Sequence, residues 1–366
     1  MSEWQTFCLK DLGKIVGGAT PSTNNPKNYG NKIAWITPKD LSTLQGRYIK
    51  KGSRSISRLG FKSCSCVLLP KHAILFSSRA PIGYVAIAKK RLCTNQGFKS
   101  IIPNKKIYFE FLYYLLKYHK NNFINMGEGT TIKGIYNIIA LGLFKVKIPL
   151  TYYEQQKIAR TLSILDQKIE NNHKINELLH TLAYKIYEYY FKYKPKNAKL
   201  EQIIIENPKS SIMVKNAQKT QDKYPFFTSG DNILSYPKAI IDGRNCFLNT
   251  GGNAGIKFYV GKASYSTDTW CICANEFSDY LYLLLSSIKT HINQSFFQGT
   301  SLKHLQKNLL KKYPIYMPSA HEIKKFNQII MPLLTLISIN TRTSKKLEQI
   351  RDFLLPLLLK QQVKPQ

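Results

Sequence analysis

Two pairs of closely spaced cysteines raise the question of a metal site. The pairs are Cys64-Ser-Cys66 and Cys271-Ile-Cys273. Zinc hooks need two to four residues between their cysteines, so a single intervening residue does not fit that pattern. On a strand, residues two apart face the same side, and small thiol groups bury well there. We therefore interpret these cysteines as reduced, buried thiols on strands, and we predict no metal site.

Asp166 and Glu170 are the best candidates for metal-dependent phosphodiester cleavage, because they lie four residues apart on a predicted helix. Such chemistry needs several clustered carboxylates to hold the ions. The whole chain has only 21 acidic residues, and its seven histidines form no ligand-like pair. We interpret the two carboxylates as part of a solvated helix face, paired with Lys168 and Lys174.

Two further strings resemble catalytic loops but lack their essential residues. Asn207-Pro-Lys-Ser210 has no aromatic residue to hold a flipped adenine, as a methyltransferase loop would. Gly251-Gly-Asn-Ala-Gly255 is not followed by the Lys-Ser/Thr of a phosphate-binding loop, so it is interpreted as a hairpin turn. The sequence thus predicts no catalytic residue and no cofactor bound by this chain.

The charge of the chain predicts a polyanionic partner. It has 366 residues, with 54 Lys and Arg against 21 Asp and Glu, and a formal net charge of +33. Clustered cations gain free energy by releasing the counterions condensed on nucleic acid. The longest apolar stretch, Phe326 to Ile339, is interrupted by Pro332, and the first residues lack the pattern of a secretory signal. We expect a cytoplasmic protein that binds nucleic acid.

The chain repeats itself at an offset of about 170 residues. Gly129-Thr-Thr-Ile-Lys precedes Gly299-Thr-Ser-Leu-Lys by 170 residues, and Leu75-Phe-Ser-Ser-Arg precedes Phe247-Leu-Asn-Thr-Gly by 172. Ile148-Pro149 likewise precedes Met317-Pro318 by 169. Since a fixed offset with preserved order is typical of duplicated folding units, the sequence predicts two similar domains.

A long predicted helix without glycine follows each copy. Stepping alternately four and three residues from Ile158 gives a heptad row that is largely apolar, and an offset of 168 places a matching row on the second helix, beginning at Phe326. Asn172 and Asn340 interrupt these rows as polar layers, which fix register in coiled coils. We predict that the two helices pack on each other, with a kink or interruption at Pro332.

Between these helices the sequence alternates short apolar runs with Gly, Pro, Asn and Ser, which predicts α+β domains. We place the first domain at residues 1–150, the first long helix at 151–194, the second domain at 195–318, and the second long helix with the tail at 319–359.

These features together resemble the DNA-specificity subunit of type I restriction-modification systems. The strings that carry the resemblance are Ile36-Thr-Pro-Lys-Asp-Leu41, Ile74-Leu-Phe-Ser-Ser-Arg-Ala-Pro-Ile-Gly83, Thr94-Asn-Gln-Gly97, Glu154-Gln-Gln-Lys-Ile158 and Leu165-Asp-Gln-Lys-Ile-Glu-Asn-Asn172, with the tail Leu347-Glu-Gln-Ile-Arg-Asp-Phe-Leu-Leu-Pro356. The resemblance implies two pseudo-symmetric target-recognition domains separated by two long antiparallel spacer helices. These would bind a bipartite site in double-stranded DNA. Because the two domains share the repeat only at a few strings, we expect the two half-sites to differ and the site to be asymmetric.

The resemblance also implies partner subunits that carry the chemistry. Two modification (methyltransferase) subunits would use S-adenosylmethionine, and restriction (endonuclease and translocase) subunits would use ATP and Mg²⁺. Exposed apolar residues of the first long helix are expected to dock the modification subunits: Leu178, Leu182, Tyr187 and Tyr189. Packing of these residues against the chain's own domains is the alternative.

Candidate DNA-binding residues are polar and basic side chains in predicted loops, because phosphates attract cations and base edges are recognised by polar groups. In the first domain they are Lys39, Arg54, Arg58, Arg79, Asn95, Gln96, Thr130, Thr131 and Lys133. In the second they are Thr228, Ser229, Asn249, Asn253, Lys257, Thr267, Thr300, Ser301 and Lys303. The main alternative to sequence-specific recognition is a basic protein that binds DNA or RNA without sequence preference.

Overall fold

The computed structural model describes residues 3–79, 81–128, 138–217 and 223–365. The chain divides into two compact units. The first unit contains Met1–Asn171 and Lys345–Gln366, and the second contains Asn172–Ser344. Both divisions fall inside long helices, so each unit consists of a mixed domain and two helix segments. Across the described ranges, no helix combines the length and apolarity needed to cross a membrane.

The domain of the first unit is built from short strands and helices. In chain order the strands are β1 Trp4–Cys8, β2 Gly13–Gly17, β3 Tyr29–Ile36, β4 Tyr48–Ile49, β5 Arg54–Ile56, β6 Ile74–Phe76, β7 Val85–Ala88, β8 Cys93–Thr94, β9 Lys99–Pro103 and β10 Lys145–Pro149. The helices are α1 Leu9–Leu12, α2 Pro38–Ser42, α3 Arg58–Lys62, α4 Phe109–Tyr118, α5 Lys120–Glu128, α6 Ile138–Gly142 and the long α7 Tyr152–Tyr187.

Three sheets organise this domain. The strand orders are β2-β9-β6-β7-β4, β5-β3-β8 and β1-β10. Helix α4 packs its apolar residues on the first sheet because nearly all of its side chains are buried, including Phe111 and Tyr114. The beginning of α7 contributes Ile158 and Leu162 to the same core, and the end of the last helix contributes Leu358. The parts of the two long helices that belong to this unit, which we call its spacer segment, are thus part of the domain core.

The second unit has the same kinds of elements. Its strands are β11 Ala198–Lys199, β12 Ile205–Glu206, β13 Tyr224–Phe227, β14 Leu234–Tyr236, β15 Arg244–Asn249, β16 Ile256–Val260, β17 Ser264–Tyr265, β18 Thr269–Cys273, β19 Phe297–Gln298, β20 His304–Leu305 and β21 Pro314–Ile315. Its helices are α8 Val214–Ala217, α9 Ser278–Ser287, α10 Lys289–Ser295, α11 Lys307–Lys311 and the long α12 Ala320–Leu359.

Sheet topology confirms the predicted repeat. The second unit has the orders β12-β18-β15-β16, β14-β13-β17 and β11-β21. The last strand of each three-stranded sheet runs parallel to the central strand, β8 beside β3 and β17 beside β13, and β21 closes on β11 as β10 closes on β1. The two domains therefore have the same α+β arrangement; among the described residues the first adds the strand β4, and the second adds the two-stranded sheet β19-β20.

The two long helices run antiparallel within each unit, as the contacts between their polar residues show. In the second unit Asn172 Nδ2 donates to Ser344 Oγ at 3.2 Å, and Asn340 Nδ2 donates to Asn176 Oδ1 at 2.9 Å. In the first unit Arg351 pairs with Asp166 at 2.7 Å. The predicted polar layers are confirmed. Asn172 and Asn340 correspond in the repeat but do not bond each other; because the helices are antiparallel, Asn172 bonds Ser344 and Asn340 bonds Asn176.

Three interpretations from the sequence are wrong in detail. Helix α12 continues through Pro332 without an interruption. Cys64 and Cys66 follow helix α3 in an irregular segment rather than lying on a strand, although Cys271 and Cys273 do lie on β18 and all the cysteines are free.

Asp166 and Glu170 are not on a solvated face. Asp166 is buried and accepts hydrogen bonds from Tyr114 and Arg351. Glu170 pairs with Arg47 at 3.0 Å. Lys168 lies two residues from each carboxylate, and residues two apart on a helix do not face each other.

Candidate nucleic-acid interface

In the first unit, loops that follow four strand ends, those of β2, β3, β6 and β8, come together. We call this group, formed by Gly18–Thr20, Thr37–Lys39, Ser78–Arg79 and Asn95–Gly97, the first loop cluster. Its frame is made of backbone hydrogen bonds: Asn95 N donates to the Ile36 carbonyl at 2.9 Å, Ser78 N to the Gly97 carbonyl at 2.8 Å, and Ala19 N to the Thr94 carbonyl at 3.0 Å. Rigid backbone contacts of this kind hold polar side chains at a surface.

Local sequence explains why these loops fold as they do. Thr37 precedes helix α2, and Asp40 accepts hydrogen bonds from the Thr37 amide and hydroxyl, both at 2.7 Å, in a capping box. Burial alone would raise the pKa of Asp40, but backbone bonds from Ser53 and Thr37 lower it below its ordinary value. Gly18 allows a close approach, since an added Cβ would lie 2.0 Å from the Asn95 carbonyl oxygen.

Cations border the first loop cluster. Lys39 and Gln96 are exposed, and the Thr20 hydroxyl donates to the Gln96 side chain. Lys99, at the start of β9, is half-buried, and its pKa is lowered first by that burial and then by the positive charge of Arg79. Arg79 and Lys99 are therefore neighbouring like charges, and such a pair makes a positive local potential, which suits a phosphate group.

In the second unit, the equivalent strand ends form a second loop cluster, which consists of Thr228–Gly230, Asn249–Gly251 and Ser266–Asp268. Ser266 N donates to the Phe227 carbonyl at 2.9 Å, which repeats the bond from Asn95 to Ile36. The Thr250 hydroxyl donates to the Asp268 carbonyl at 2.7 Å, and Thr250 N donates to Ser229 Oγ at 3.1 Å. The same backbone frame therefore carries different side chains in the two units.

A half-buried lysine organises the second loop cluster. Lys257 Nζ donates to the Thr228 carbonyl at 2.9 Å and to Asn249 Oδ1 at 3.2 Å, while Asn249 Nδ2 donates to the Asn253 carbonyl at 3.1 Å. Burial lowers the pKa of Lys257. Thr228 and Asn249 are each only 6% exposed. These three side chains were predicted at the DNA-contacting surface, but the structure engages them inside the cluster, where they can position its loops.

The remaining candidates fall into three groups. The exposed ones beside the second loop cluster are Asn253, Thr300, Ser301 and Lys303, with the half-buried Thr267 and Ser229. Lys303 joins this group because its carbonyl accepts a hydrogen bond from Gly252 N at 2.9 Å. Arg54 and Arg58 are exposed on β5 and α3, and among the described residues no side-chain hydrogen bond links them to the first loop cluster. Thr130, Thr131 and Lys133 lie outside the described residues.

The predicted docking residues of the first long helix are mostly exposed. Leu178 is 62% exposed, Leu182 49% and Tyr189 86%. Together with Ile175 they recur at intervals of three, four and seven residues, which places them on one helix face. Including Tyr187 in this surface is wrong, because it is 2% exposed and packs in the core of the second unit, near Tyr280.

Sequence reasoning missed Lys99 and a matching apolar face on the second long helix. In the second unit that face carries Ile329, Leu336 and Ile339, and in the first unit Ile350 and Phe353, all exposed. The signal was present in the heptad spacing of these residues. It was overlooked because the inward-facing heptad row of the same helix is also apolar.

Comparisons with known proteins agree with this architecture. A family model described as the type I restriction modification DNA specificity domain matches residues 1–181 and again residues 196–349. The type I restriction enzyme MjaIX specificity subunit of Methanocaldococcus jannaschii is 31% identical over 98% of this chain and 93% of its own length. A putative type I specificity subunit of Mycoplasma genitalium is 24% identical over 84% of this chain and 80% of its own.

A solved structure has a similar fold. The crystal structure of the S subunit of a type I restriction-modification system from M. genitalium aligns with a TM-score of 0.63 at 17% identity, covering 98% of this chain and 96% of that one. The two matches of the family model each take in one of the domains and part of a long helix. The chain therefore belongs to the type I restriction modification DNA specificity family, and it is a specificity subunit with two target-recognition domains.

Proposed function

We propose that this specificity subunit recognises a bipartite, asymmetric site in double-stranded DNA, with one half-site bound by each loop cluster. The observation that carries the proposal is the repeated backbone frame. Both units present polar loops at equivalent strand ends, yet the side chains differ: Asn95 and Gln96 in one, Ser266 and Thr267 in the other. Equal frames with unequal polar groups favour two half-sites of different sequence.

The exposed apolar faces of the long helices support docking of two modification subunits. Each unit contributes exposed apolar residues from both helices, for example Leu178 and Leu336 in the second unit and Ile164 and Phe353 in the first. Helix partners usually bind such heptad-spaced faces. We propose that S-adenosylmethionine is bound and adenine methylated by those subunits, that ATP and Mg²⁺ serve the restriction subunits, and that this chain has no catalysis of its own.

Methylome sequencing tests the proposal directly. Cells that express the chain with its modification subunits should show methylated adenine in one bipartite motif, and cells that lack only this chain should not. The purified chain alone, incubated with duplex DNA and either S-adenosylmethionine or Mg²⁺, should neither methylate nor cut. Methylation or cleavage by the chain alone would overturn the assigned division of labour.

Single substitutions assign the half-sites. Gln96→Ala should relax recognition in one half of the motif, and Lys303→Ala should affect only the other half, each by about 1–3 kcal/mol if a base contact is lost. The exposed Lys105 offers a matched control, since it lies outside both clusters. If both variants change the same half-site, the assignment of one cluster to each half-site is wrong.

The non-specific alternative predicts a different salt response. Purely electrostatic binding loses affinity equally for every sequence as salt rises, whereas a specificity subunit keeps its preference for the methylated motif. Competition between the motif and a scrambled duplex can be measured at several salt concentrations with the complex of specificity and modification subunits. The result distinguishes sequence-specific recognition from non-specific electrostatic binding.

A further inference from the structure

A second basic surface lies in the first unit, apart from the first loop cluster. Strands β4 and β7 run parallel and end together at Ile49 and Ala88. Lys89 N donates to the Ile49 carbonyl at 2.9 Å, and His72 N donates to the Ala88 carbonyl at 2.8 Å. These bonds gather three chain segments whose exposed cations we call the basic rim: Lys50, Lys51, Lys71, Lys89, Lys90 and Arg91.

The basic rim has no internal charge compensation. In the part of the chain that the structure describes, none of its six cations takes part in an ion pair. Like charges held close together repel one another, so six exposed cations on one edge contribute nothing favourable to folding by themselves. A polyanionic partner removes that repulsion and gains further free energy from released counterions.

The repeat provides an internal comparison. The equivalent end of the β15–β16 hairpin in the second unit is held by a bond from Gly261 N to the Gly243 carbonyl at 2.9 Å. Its exposed charges are the anion Asp242 and three cations, Lys238, Lys262 and Arg342. The same fold therefore forms this end with half as many cations and an anion among them, so the folding of the domain does not require the six cations of the basic rim.

The basic rim and the first loop cluster lie at different ends of the β6–β7 hairpin. Ser78 follows the end of β6, whereas Lys89 follows the end of β7, and these two strands are antiparallel. The five residue steps from Ala73, before β6, to Ser78, after it, span about 17 Å at the usual rise of a strand, or about five base pairs of duplex. A single duplex bound at the first loop cluster can therefore reach the rim with its flanking phosphates.

We propose that the basic rim is a sequence-independent phosphate-binding surface for duplex DNA that flanks the half-site of the first domain. Lysine ammonium groups act on phosphates as point charges and carry little sequence information. The rim should therefore raise affinity for every duplex equally and leave the preference among sequences unchanged. This inference rests on the proposed DNA-binding function, although its salt signature can be measured without a known motif.

The test compares three forms of the full-length chain. The rim variant carries Lys50→Gln, Lys51→Gln, Lys71→Gln, Lys89→Gln, Lys90→Gln and Arg91→Gln. The control variant removes the same six charges from exposed lysines of the same unit that lie away from the rim: Lys10, Lys14, Lys105, Lys106, Lys145 and Lys147, each changed to Gln. Binding to the methylated motif and to a scrambled duplex is measured from about 50 to 200 mM salt.

We expect the rim variant to lose affinity for both duplexes alike. If three phosphates are contacted, the slope of log affinity against log salt should fall by about 2.7. A fourfold rise in salt would then reduce the affinity of the variant by a factor about 40 times smaller than the factor for wild type. The control variant should keep a slope closer to that of wild type. Circular dichroism of both variants checks that the strands remain folded.

The possible outcomes separate this inference from the proposed function. Equal slopes for the rim and control variants, with the motif still preferred by wild type, would overturn the rim and leave the proposed function standing. A reduced slope in the rim variant alone, with no sequence preference in any form, would support the rim and overturn sequence recognition. A change of preferred motif in the rim variant would contradict the sequence-independent role, and absence of DNA binding in every form would overturn both.

Discussion

A buried arginine links the first domain to its spacer segment, and its removal should be costly. Arg47 Nη1 bonds Glu110 Oε1 of α4 at 2.8 Å, and Arg47 Nε bonds Glu170 Oε1 of α7 at 3.0 Å. The backbone N of Arg47 also donates to Glu170 Oε1 at 2.9 Å. The Arg47 side chain is only 4% exposed and that of Glu110 only 10%. Substituting Arg47→Met keeps the apolar stem but leaves two carboxylates without their cation.

The expected cost follows from the burial of these charges. Removing one partner of a buried ion pair typically destabilises a protein by about 3–5 kcal/mol, because the remaining charge is left uncompensated. Tyr108 still donates to Glu110 Oε2 at 2.8 Å in the variant, so the lower half of that range is expected. Burial alone lowers the pKa of Arg47, but the bond to Glu170 raises it above its ordinary value, so this arginine remains charged across the physiological pH range.

Urea unfolding followed by tryptophan fluorescence measures this cost. Of the three tryptophans, Trp4 and Trp35 lie in the first unit and Trp270 in the second, so a Trp270→Phe background reports on the first unit. Arg58→Met is the matched control, because Arg58 is exposed and its loss should cost less than about 0.5 kcal/mol. A loss below about 1 kcal/mol in Arg47→Met would refute the claim that this ion pair is buried and essential.

A triple variant separates charge from packing. Arg47→Met combined with Glu110→Gln and Glu170→Gln removes all three charges together, and neutral groups in place of a buried ion pair often restore stability. We expect the triple variant to recover most of the loss. If it is as unstable as the single variant, the arginine stem rather than its charge supports the domain.

Three further predictions concern the helices and the pH response. Asn340→Leu should destabilise the second unit by about 1–3 kcal/mol, because Asn176 loses its hydrogen-bond donor. The double variant Asn176→Leu with Asn340→Leu should recover that loss of stability in thermal unfolding. An equal loss of stability in the single and double variants would contradict a shared polar layer. Burial lowers the pKa of His180 below its ordinary 6.5, so its contribution to stability is complete above that pH and is lost as the pH falls through the lower folded-state pKa. His180→Phe should therefore reduce the acid sensitivity of the Trp270 unfolding transition, and an unchanged pH profile would refute this. Inserting one heptad between the polar layers of both long helices should lengthen the unread gap of the DNA motif by about 10 Å, or about three base pairs, and a methylome with an unchanged gap would exclude a ruler function for the spacer.

The sequence predicted the features that depend on local pattern. The repeat, the two long helices, the inward heptad rows and the polar layers all follow from spacing within one helix or from strings such as Thr94-Asn-Gln-Gly97. These features could be predicted because heptad spacing of apolar residues indicates a packed helix, and turn residues indicate a loop, whatever the rest of the protein contains. The loop clusters were predicted in part, since the strings locate loops but do not show which side chains turn inward.

The features that were missed depend on contacts between residues far apart in the chain. Asp166 was interpreted as solvated because its partners, Tyr114 and Arg351, lie 52 and 185 residues away. Lys257 was predicted as a DNA contact mostly from its position in the repeat, which did not show that its amine bonds the Thr228 carbonyl and Asn249. Nothing in a local pattern distinguishes these cases from surface charges.

Each domain is attached to its long-helix segment by a contact that an alignment of the two halves of the sequence does not reveal. The second residue of α9, Asp279, lies 169 positions after Glu110 of α4, and its carboxylate is bonded by Arg244, which also donates to the Thr335 hydroxyl of α12 at 3.0 Å. Both units therefore connect a helix carboxylate to a long helix through an arginine, which is buried in the first unit and half-buried in the second. The two arginines lie at different places, however: Arg47 precedes β4, whereas Arg244 begins β15. At the repeat offset of 172, Arg244 corresponds to His72 of the first unit, which stacks on Phe109.

The acid was thus retained in both copies while its arginine partner comes from different strands. An alignment of the two halves pairs the acids but not the arginines, so the shared contact is visible only in three dimensions. Two separate solutions to the same contact are expected if a recognition domain functions only when it is held rigidly on its spacer segment. On that reasoning, Arg47→Met and Arg244→Met should each broaden the range of gap lengths that the methyltransferase complex accepts, whereas Arg58→Met should leave that range unchanged.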